Sequence, residues 1–372
     1  MASSAPRIFT RQPWKALYAL IASALFAARL PFWLIYYIPS ALRQHPKWTF
    51  RQALSVHLLK TISYHCSLIE IRTPLSLKPG PDKERFVIVH PSKPDRYVDI
   101  LNDSKTKPEK LGGTWYPAAY EAGDQQDVVL HFHGGAYVVG TGRADDAGFP
   151  AKMLHKHSHA KVFMPQYRLA GNPGGKFPAA LQDAVSAYQY LLDAGLPASK
   201  IVVSGDSAGA NLALALLRYI SEHGELLPSP TAAWLWSPWV DLASAAADPG
   251  ACERNRNFGT DVINGVFVAW GAHAFVPDSI SASHPYISPM NHPFKTETPL
   301  WIQTGGLEIL YDDDVRLADN MRGVEGNKVE LVVDPYTPHD ILLLGDKLGF
   351  VAETEKVAKK AVEFLRNERT YP

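Results

Sequence analysis

From Asp127 onward, short apolar runs alternate with longer stretches in which apolar positions recur every three to four residues. Val128–Phe132, Lys161–Gln166, Ile201–Ser204, Ala232–Trp236, Leu300–Thr304 and Val329–Val333 read as buried strands. Pro178–Gly195 and Ala208–Ile220 carry helical periodicity, the first with Pro near its start and Gly at its end. This alternation predicts an α/β fold, a mostly parallel doubly wound sheet covered on both faces.

One interval breaks the alternation. Pro238 to Pro299 is far longer than a usual connection between a strand and a helix, and it carries Phe267, Trp270, Phe275 and Tyr286. So many aromatics predict an inserted helical cap that roofs a pocket, and Trp48–Leu59 is a candidate for a second part of it.

The N-terminal stretch follows a different pattern. From Trp14 to Leu42, Arg29 is the only charge after Lys15. The 23 residues from Ala16 to Ile38 span roughly 35 Å as a helix, enough to cross a bilayer core. Arg29 costs about 2.5–3.5 kcal/mol at the centre of such a span, which some ten strongly apolar neighbours offset. Pro31 is expected to kink this helix or split it in two. The domain reading is therefore residues 1–45 as an anchor or cap segment, then residues 46–372 as one catalytic domain with its cap insertion near 238–299. Membrane association through the N-terminus is expected; the alternative is a pair of apolar helices lying on the catalytic domain. Basic residues flank the segment on both sides, so its orientation is not readable.

Composition narrows the partners. Lys+Arg and Asp+Glu both number 37, giving no net charge and no basic stripe for nucleic acid. The two cysteines, Cys66 and Cys252, exclude a disulfide framework and lack metal-ligand spacing. No metal or organic cofactor is implied.

The chemistry concentrates in four places. Gly205-Asp206-Ser207-Ala208-Gly209 stands between a β-branched strand and an apolar helix. A sharp turn there exposes the Ser207 hydroxyl, and the helix start offers the Ala208 amide to a developing oxyanion. His133-Gly134-Gly135-Ala136 follows the Val128–Phe132 strand, where glycines let backbone N–H groups point into a cleft. His133 is expected to orient this loop rather than act on substrate. His339 follows the last strand and is the candidate general base. Glu308, just off the strand Leu300–Thr304, is the best candidate for the acid that fixes its tautomer. Asp312 and Asp313 are its rivals, although carboxylates there also suit the start of a helix.

These residues resemble the hormone-sensitive-lipase-like esterases of the α/β-hydrolase fold over roughly residues 127–365. His133-Gly134-Gly135-Ala136 is similar to that family's H-G-G-G loop, and Gly205-Asp206-Ser207-Ala208-Gly209-Ala210 to its G-D-S-A-G-G elbow. Tyr167-Arg168-Leu169-Ala170, Phe177-Pro178-Ala179-Ala180 and Asp183 resemble a further conserved segment of that family. The hydrophobic N-terminus looks most like fungal members related to membrane-bound steryl acetyl hydrolases. Through this N-terminal anchor a membrane-associated protein is expected, the endoplasmic reticulum being one such location, with a cytoplasmic protein as the alternative. The resemblance implies an oxyanion hole from the loop Gly134, Gly135 and Ala136 with Ala208, the donors being the amides of Gly135, Ala136 and Ala208. An alanine at position 136 keeps its amide available if its φ is negative.

The function expected is hydrolysis of short-chain, acetyl-type esters of a hydrophobic small molecule by a serine esterase. Acyl transfer by the same triad and a non-catalytic ligand-binding protein on this fold are the alternatives.

Overall fold

The computed structural model describes residues 7–121 and 123–370. Its sheet is built from β1 (Phe86–Val89), β2 (Leu111–Tyr116), β3 (Val128–Phe132), β4 (Lys161–Pro165), β5 (Ile201–Asp206), β6 (Ala232–Trp236), β7 (Leu300–Gly305) and β8 (Val329–Asp334). The helices before the cap are α1 (Trp14–Tyr36), α2 (Phe50–Leu68), α3 (Ala144–Ser158), α4 (Ala179–Asp193) and α5 (Ala208–Glu222). Between β6 and β7 lie α6 (Leu242–Ala247), α7 (Ala251–Arg254) and α8 (Gly265–Phe275). The chain continues through α9 (Tyr311–Arg322), α10 (Ile341–Leu348) and α11 (Val351–Thr370).

The strand order is β1-β2-β4-β3-β5-β6-β7-β8. The pairs β1–β2 and β2–β4 are antiparallel, and every other neighbouring pair is parallel. After β4 the winding reverses, because β5 returns to the far side of β3. That switch point is where open α/β sheets leave a crevice at the carboxyl ends of their strands. Phe132 pairs with Gly205 across it, so His133 and Ser207 leave the sheet beside each other.

Each face of the sheet has its own apolar core. On one, α4, α5 and the cap residues Trp270 and Phe275 pack together. On the other, Trp33 of α1 and Ala53 and Val56 of α2 join α3, α10 and α11. The amphipathic α11 shows how the second forms: Val357, Ala358, Ala361, Val362 and Leu365 repeat at helical spacing and are buried.

The six strands expected from the sequence are present, with ends shifted by up to two residues. β1 and β2 were not expected. β2 contains Gly112-Gly113, which reads as a turn. Here the missing side chain serves packing, since a Cβ on Gly113 would lie 2.2 Å from the Phe163 ring.

The helix α1 is not split at Pro31; it runs unbroken for 23 residues. Tyr18, Ala22, Phe26, Leu30, Trp33 and Tyr37 fall on one stripe that is buried or half-buried against the rest of the chain. Leu17, Leu20, Ile21, Leu25, Phe32 and Ile35 face outward. Only 6% of its most apolar window is buried, and it is long and apolar enough to cross a membrane. Next to it, Thr49 caps α2 reciprocally with Gln52. α2 meets the cap, with Lys60 donating to the Phe258 carbonyl and Asn264 to Ser63. Cys66 and Cys252 are both free thiols.

Candidate active site

Ser207 sits on the turn from β5 into α5 with φ +52° and ψ −116°, a conformation that is costly for any side-chain-bearing residue. Small neighbours make the turn possible, since a Cβ on Gly209 would lie 1.9 Å from the Phe132 carbonyl oxygen. The strain aims the hydroxyl out of the sheet, where His339 Nε2 lies 2.9 Å from Ser207 Oγ. His339 Nδ1 lies 3.0 Å from Glu308 Oε2. With Glu308 accepting at Nδ1, Nε2 is left unprotonated to accept from the serine hydroxyl.

Glu308 is fully buried, and its other oxygen accepts from the Gly305 amide at 2.9 Å and from the Thr304 hydroxyl. The rival acids lie elsewhere. Asp312 is exposed and forms a two-pronged pair with Arg256 at 2.7 Å. Burial, then Asp241 and Asp312, raise the Asp313 pKa to about 6. Asp314, one residue on, is buried near Glu308; burial and then that carboxylate push its pKa well above the usual range.

Burial alone would lower the His339 pKa, but Glu308, Asp340 and Asp261 outweigh it and raise the value to about 9. Asp261, in the cap insertion, accepts from the amides of Val262 at 2.6 Å, Ile309 at 2.5 Å and His339 at 3.2 Å. It thereby ties the loops carrying Glu308 and His339 to the cap. Sequence reasoning missed it, because nothing in Thr260-Asp261-Val262 marks it from a surface carboxylate.

The loop after β3 is fixed by contacts that its sequence does not contain. The Gly134 amide donates to Asp206 Oδ2 at 2.7 Å, so Gly134 belongs to the loop by holding it in place and its amide is not among the free ones. The amides of Gly135, Ala136 and Ala208 have no acceptor among the described residues. Ala136 takes φ +51° and Tyr137 φ +62°, so the condition set for Ala136, a negative φ, is not met, yet its amide is left without an acceptor among the described residues all the same. Packing enforces this conformation. The Tyr137 ring stacks on Phe275 of α8 at 3.8 Å, and its hydroxyl donates to Asn211 at 2.7 Å. His133 stacks on Tyr167 at 4.4 Å with Nδ1 2.7 Å from the Gly134 carbonyl, the orienting contact expected of it. Behind the loop, Arg168 and Asp183 form a pair at 2.8 Å, which gives that motif a structural use.

Asp206 also meets His131 Nε2 at 2.8 Å. Burial lowers the His131 pKa to about 3, so this is a hydrogen bond to a neutral ring and not an ion pair. Burial raises Asp206 to about 6 and Asp340 further, the latter also through the Asp206 charge.

Ser207 and His339 open on a cavity of about 280 Å³. Leu59, Ile62 and Ile71, in and just after α2, and Val262, Phe267 and Trp270 from the cap give it largely apolar walls. The region Trp48–Leu59 thus contributes to the roof as expected, and α2 extends that wall to Ser67.

A serine on a strained strand-to-helix turn at a sheet switch point, with a carboxylate in the loop after β7 and a histidine in the loop after β8 hydrogen-bonded in series, defines the class. The chain belongs to the alpha/beta hydrolase fold family, which it matches over residues 129–343. Among its relatives, the acetyl-hydrolase of Streptomyces hygroscopicus is 34% identical over 186 residues, 50% of this chain and 58% of that one. The chain therefore covers less than two thirds of that relative's length. An esterase of Acinetobacter venetianus is 28% identical over 253 residues, covering 67% of this chain and 78% of that one. The fold is also similar to a crystal structure of an esterase from the bacterial hormone-sensitive lipase family (TM-score 0.60, 23% identity, 92% of this chain and 98% of that one).

Proposed function

We propose that this chain is a serine carboxylesterase that hydrolyses short-chain, acetyl-type esters of a hydrophobic alcohol. The observation that carries this is the hydrogen-bonded series Ser207–His339–Glu308 opening on an apolar cavity. The names of the relatives, an acetyl-hydrolase and an esterase, support the same reading.

In this mechanism Ser207 Oγ attacks the ester carbonyl while His339 Nε2 takes its proton. The carbonyl oxygen gains the negative charge and is met by the amides of Gly135, Ala136 and Ala208. His339 then gives the proton to the leaving alcohol oxygen as the C–O bond breaks, leaving Ser207 acylated. Water attacks the acyl-enzyme, His339 again taking a proton, and the acid departs as Ser207 is reprotonated. Glu308 accepts from Nδ1 throughout and stabilises the imidazolium. A raised His339 pKa makes it a stronger base, at the cost of a smaller unprotonated fraction at neutral pH.

The exposed apolar face of α1 supports membrane association. Docking along one stripe favours a helix lying in the plane of the lipid surface, apolar side down, over one that crosses it. Arg29, which is exposed, then reaches the headgroups and avoids the cost of the bilayer centre.

The test is labelling of the purified protein with a fluorophosphonate. Parent protein is expected to label and to turn over p-nitrophenyl acetate, and Ser207→Ala to lose both, with on the order of 10⁴–10⁶ lost in rate. A folded Ser207→Ala protein that still labels removes the assignment.

A further inference from the structure

A second cavity, of about 300 Å³, lies between α1 and α2. Tyr18, Ala19, Ala22 and Phe26 form its α1 side, and Ile62 and Cys66 belong to its α2 side. Ile62 and Cys66 also line the cavity that holds Ser207 and His339. They stand one helical turn apart on α2, so the same two side chains are walls of both spaces. Ile62 is 45% exposed, whereas Trp48 and Ala53 nearer the start of this region are closely packed.

We propose that the groove between α1 and α2 is a lateral passage through which an ester dissolved in a lipid surface reaches Ser207, its hydrophobic alcohol remaining between the two helices during reaction. This inference rests on the esterase reading and deepens it by naming where the alcohol sits.

Three features carry it. The outer wall of the groove is α1, whose free face presents Leu17, Leu20, Ile21 and Leu25, so the opening lies next to the surface that lipid would cover. A hydrophobic solute reaching this opening from lipid crosses no water layer, and so avoids exposing its apolar surface to water. The main polar groups on the groove wall satisfy each other, because the Tyr18 hydroxyl and His65 Nδ1 are 2.7 Å apart. What remains for a ligand is an apolar channel suited to a chain or ring system and not to a headgroup. The partition itself is thin. Cys66 is small, and rotation of an Ile62 side chain takes place far faster than catalysis.

The experiment uses the full chain on phosphatidylcholine vesicles and fills the groove from its outer wall with Ala22→Phe, which touches neither Ser207 nor the reactive cavity. Ala19→Phe is a second variant at the same wall. Two substrates are compared: p-nitrophenyl acetate in water and hexadecyl acetate dissolved in the vesicles. The expected result is a loss of about tenfold or more in kcat/KM for hexadecyl acetate, with p-nitrophenyl acetate within about twofold of the parent. Equal loss on both substrates, or loss on neither, overturns the passage. A readout independent of activity separates it from the esterase reading. Cys66 should be alkylated by vesicle-dissolved N-dodecylmaleimide, and Ala22→Phe should slow this severalfold, followed by mass spectrometry with buried Cys252 as the internal reference. A parent inactive on both esters yet showing that slowing would overturn the esterase reading and leave the groove accessible from lipid. Alkylation unaffected by both variants would overturn the passage even in an active enzyme.

Discussion

Replacing Glu308 by Gln is the sharpest test of the site, because its effect can be worked out atom by atom. One carboxylate oxygen of Glu308 accepts from the Gly305 amide at 2.9 Å and from the Thr304 hydroxyl. The Gly305 amide is a fixed donor, so a Gln side chain must keep its carbonyl oxygen on that side. Its NH₂ group then faces His339 Nδ1, now 3.0 Å from the acid, and donates to it. His339 must accept at Nδ1 and carry its proton on Nε2, towards Ser207. That tautomer cannot take the serine proton. In a well-studied triad the equivalent change costs roughly 10⁴ in kcat, and Glu308→Gln is expected to lose about 10²–10⁴ with folding intact. Asp312→Asn only opens an exposed pair with Arg256, a type of contact that contributes about 0–1 kcal/mol. Asp312→Asn and Asp313→Asn should each stay within about tenfold of the parent. The assay is kcat on p-nitrophenyl acetate beside circular dichroism of each variant. An active Glu308→Gln enzyme with a silent Asp312→Asn or Asp313→Asn would refute the assignment.

Other tests address the surroundings. The rate needs neutral His339, whose pKa is raised, so kcat/KM should rise with pH through a limb displaced above the ordinary histidine value of about 6.5; Glu308→Asp, which keeps a charge at greater distance, should move the limb down, and an unmoved limb would count against His339. Asp261→Ala leaves the buried amides of Ile309 and His339 without their acceptor; at about 1–3 kcal/mol each this should lower Tm by several degrees and reduce kcat, measured by calorimetry and turnover. The triple substitution Leu20→Glu, Ile21→Lys, Leu25→Glu alters only the outward face of α1 and should shift the full chain from the membrane pellet to the soluble fraction, each lost apolar contact being worth about 1.5–3 kcal/mol; parent protein that is soluble without detergent would remove the membrane reading.

Much of the molecule was legible because its signals are local. The central parallel strands announce themselves as short apolar runs, β3 and β5 with β-branched residues, since both of their faces are buried and no alternation survives. Ser207 and His339 were legible by position relative to those strands, and Glu308 by leaving β7 through Gly305-Gly306. What stayed hidden depends on contacts across the chain. β2 was masked by a glycine pair whose purpose is to admit the Phe163 and Phe86 rings. The sign of φ at Ala136 follows from how α8 clamps the neighbouring Tyr137, which the loop sequence does not contain. The sequence places Gly134 in the loop, but only the fold shows that Asp206 takes its amide. Asp261 lies 78 residues from His339 and carries no motif.

The second residue of the elbow explains how these parts hold one geometry. Asp206 accepts from His131 on β3 and from Gly134 on the oxyanion loop, and it hydrogen-bonds Asp340, the neighbour of the base. Two fully buried carboxylates in contact cannot both be ionised, and burial with mutual repulsion raises both, Asp340 the more. Asp340, raised the further, is the one that favours holding a proton, which leaves Asp206 to accept from an amide and a neutral imidazole. The arrangement links the nucleophile turn, the amide loop and the histidine loop through a single buried carboxylate. Three loops leaving different strand ends would otherwise be free to shift independently, and a displacement of about 1 Å is enough to cost on the order of 10² in rate. A strained Ser207 also needs such a clamp, because its φ of +52° persists only where the surroundings dictate it. Asp206 thus does for the backbone of the site what Glu308 does for the histidine ring: each spends a buried carboxylate on fixing a donor whose direction decides the chemistry.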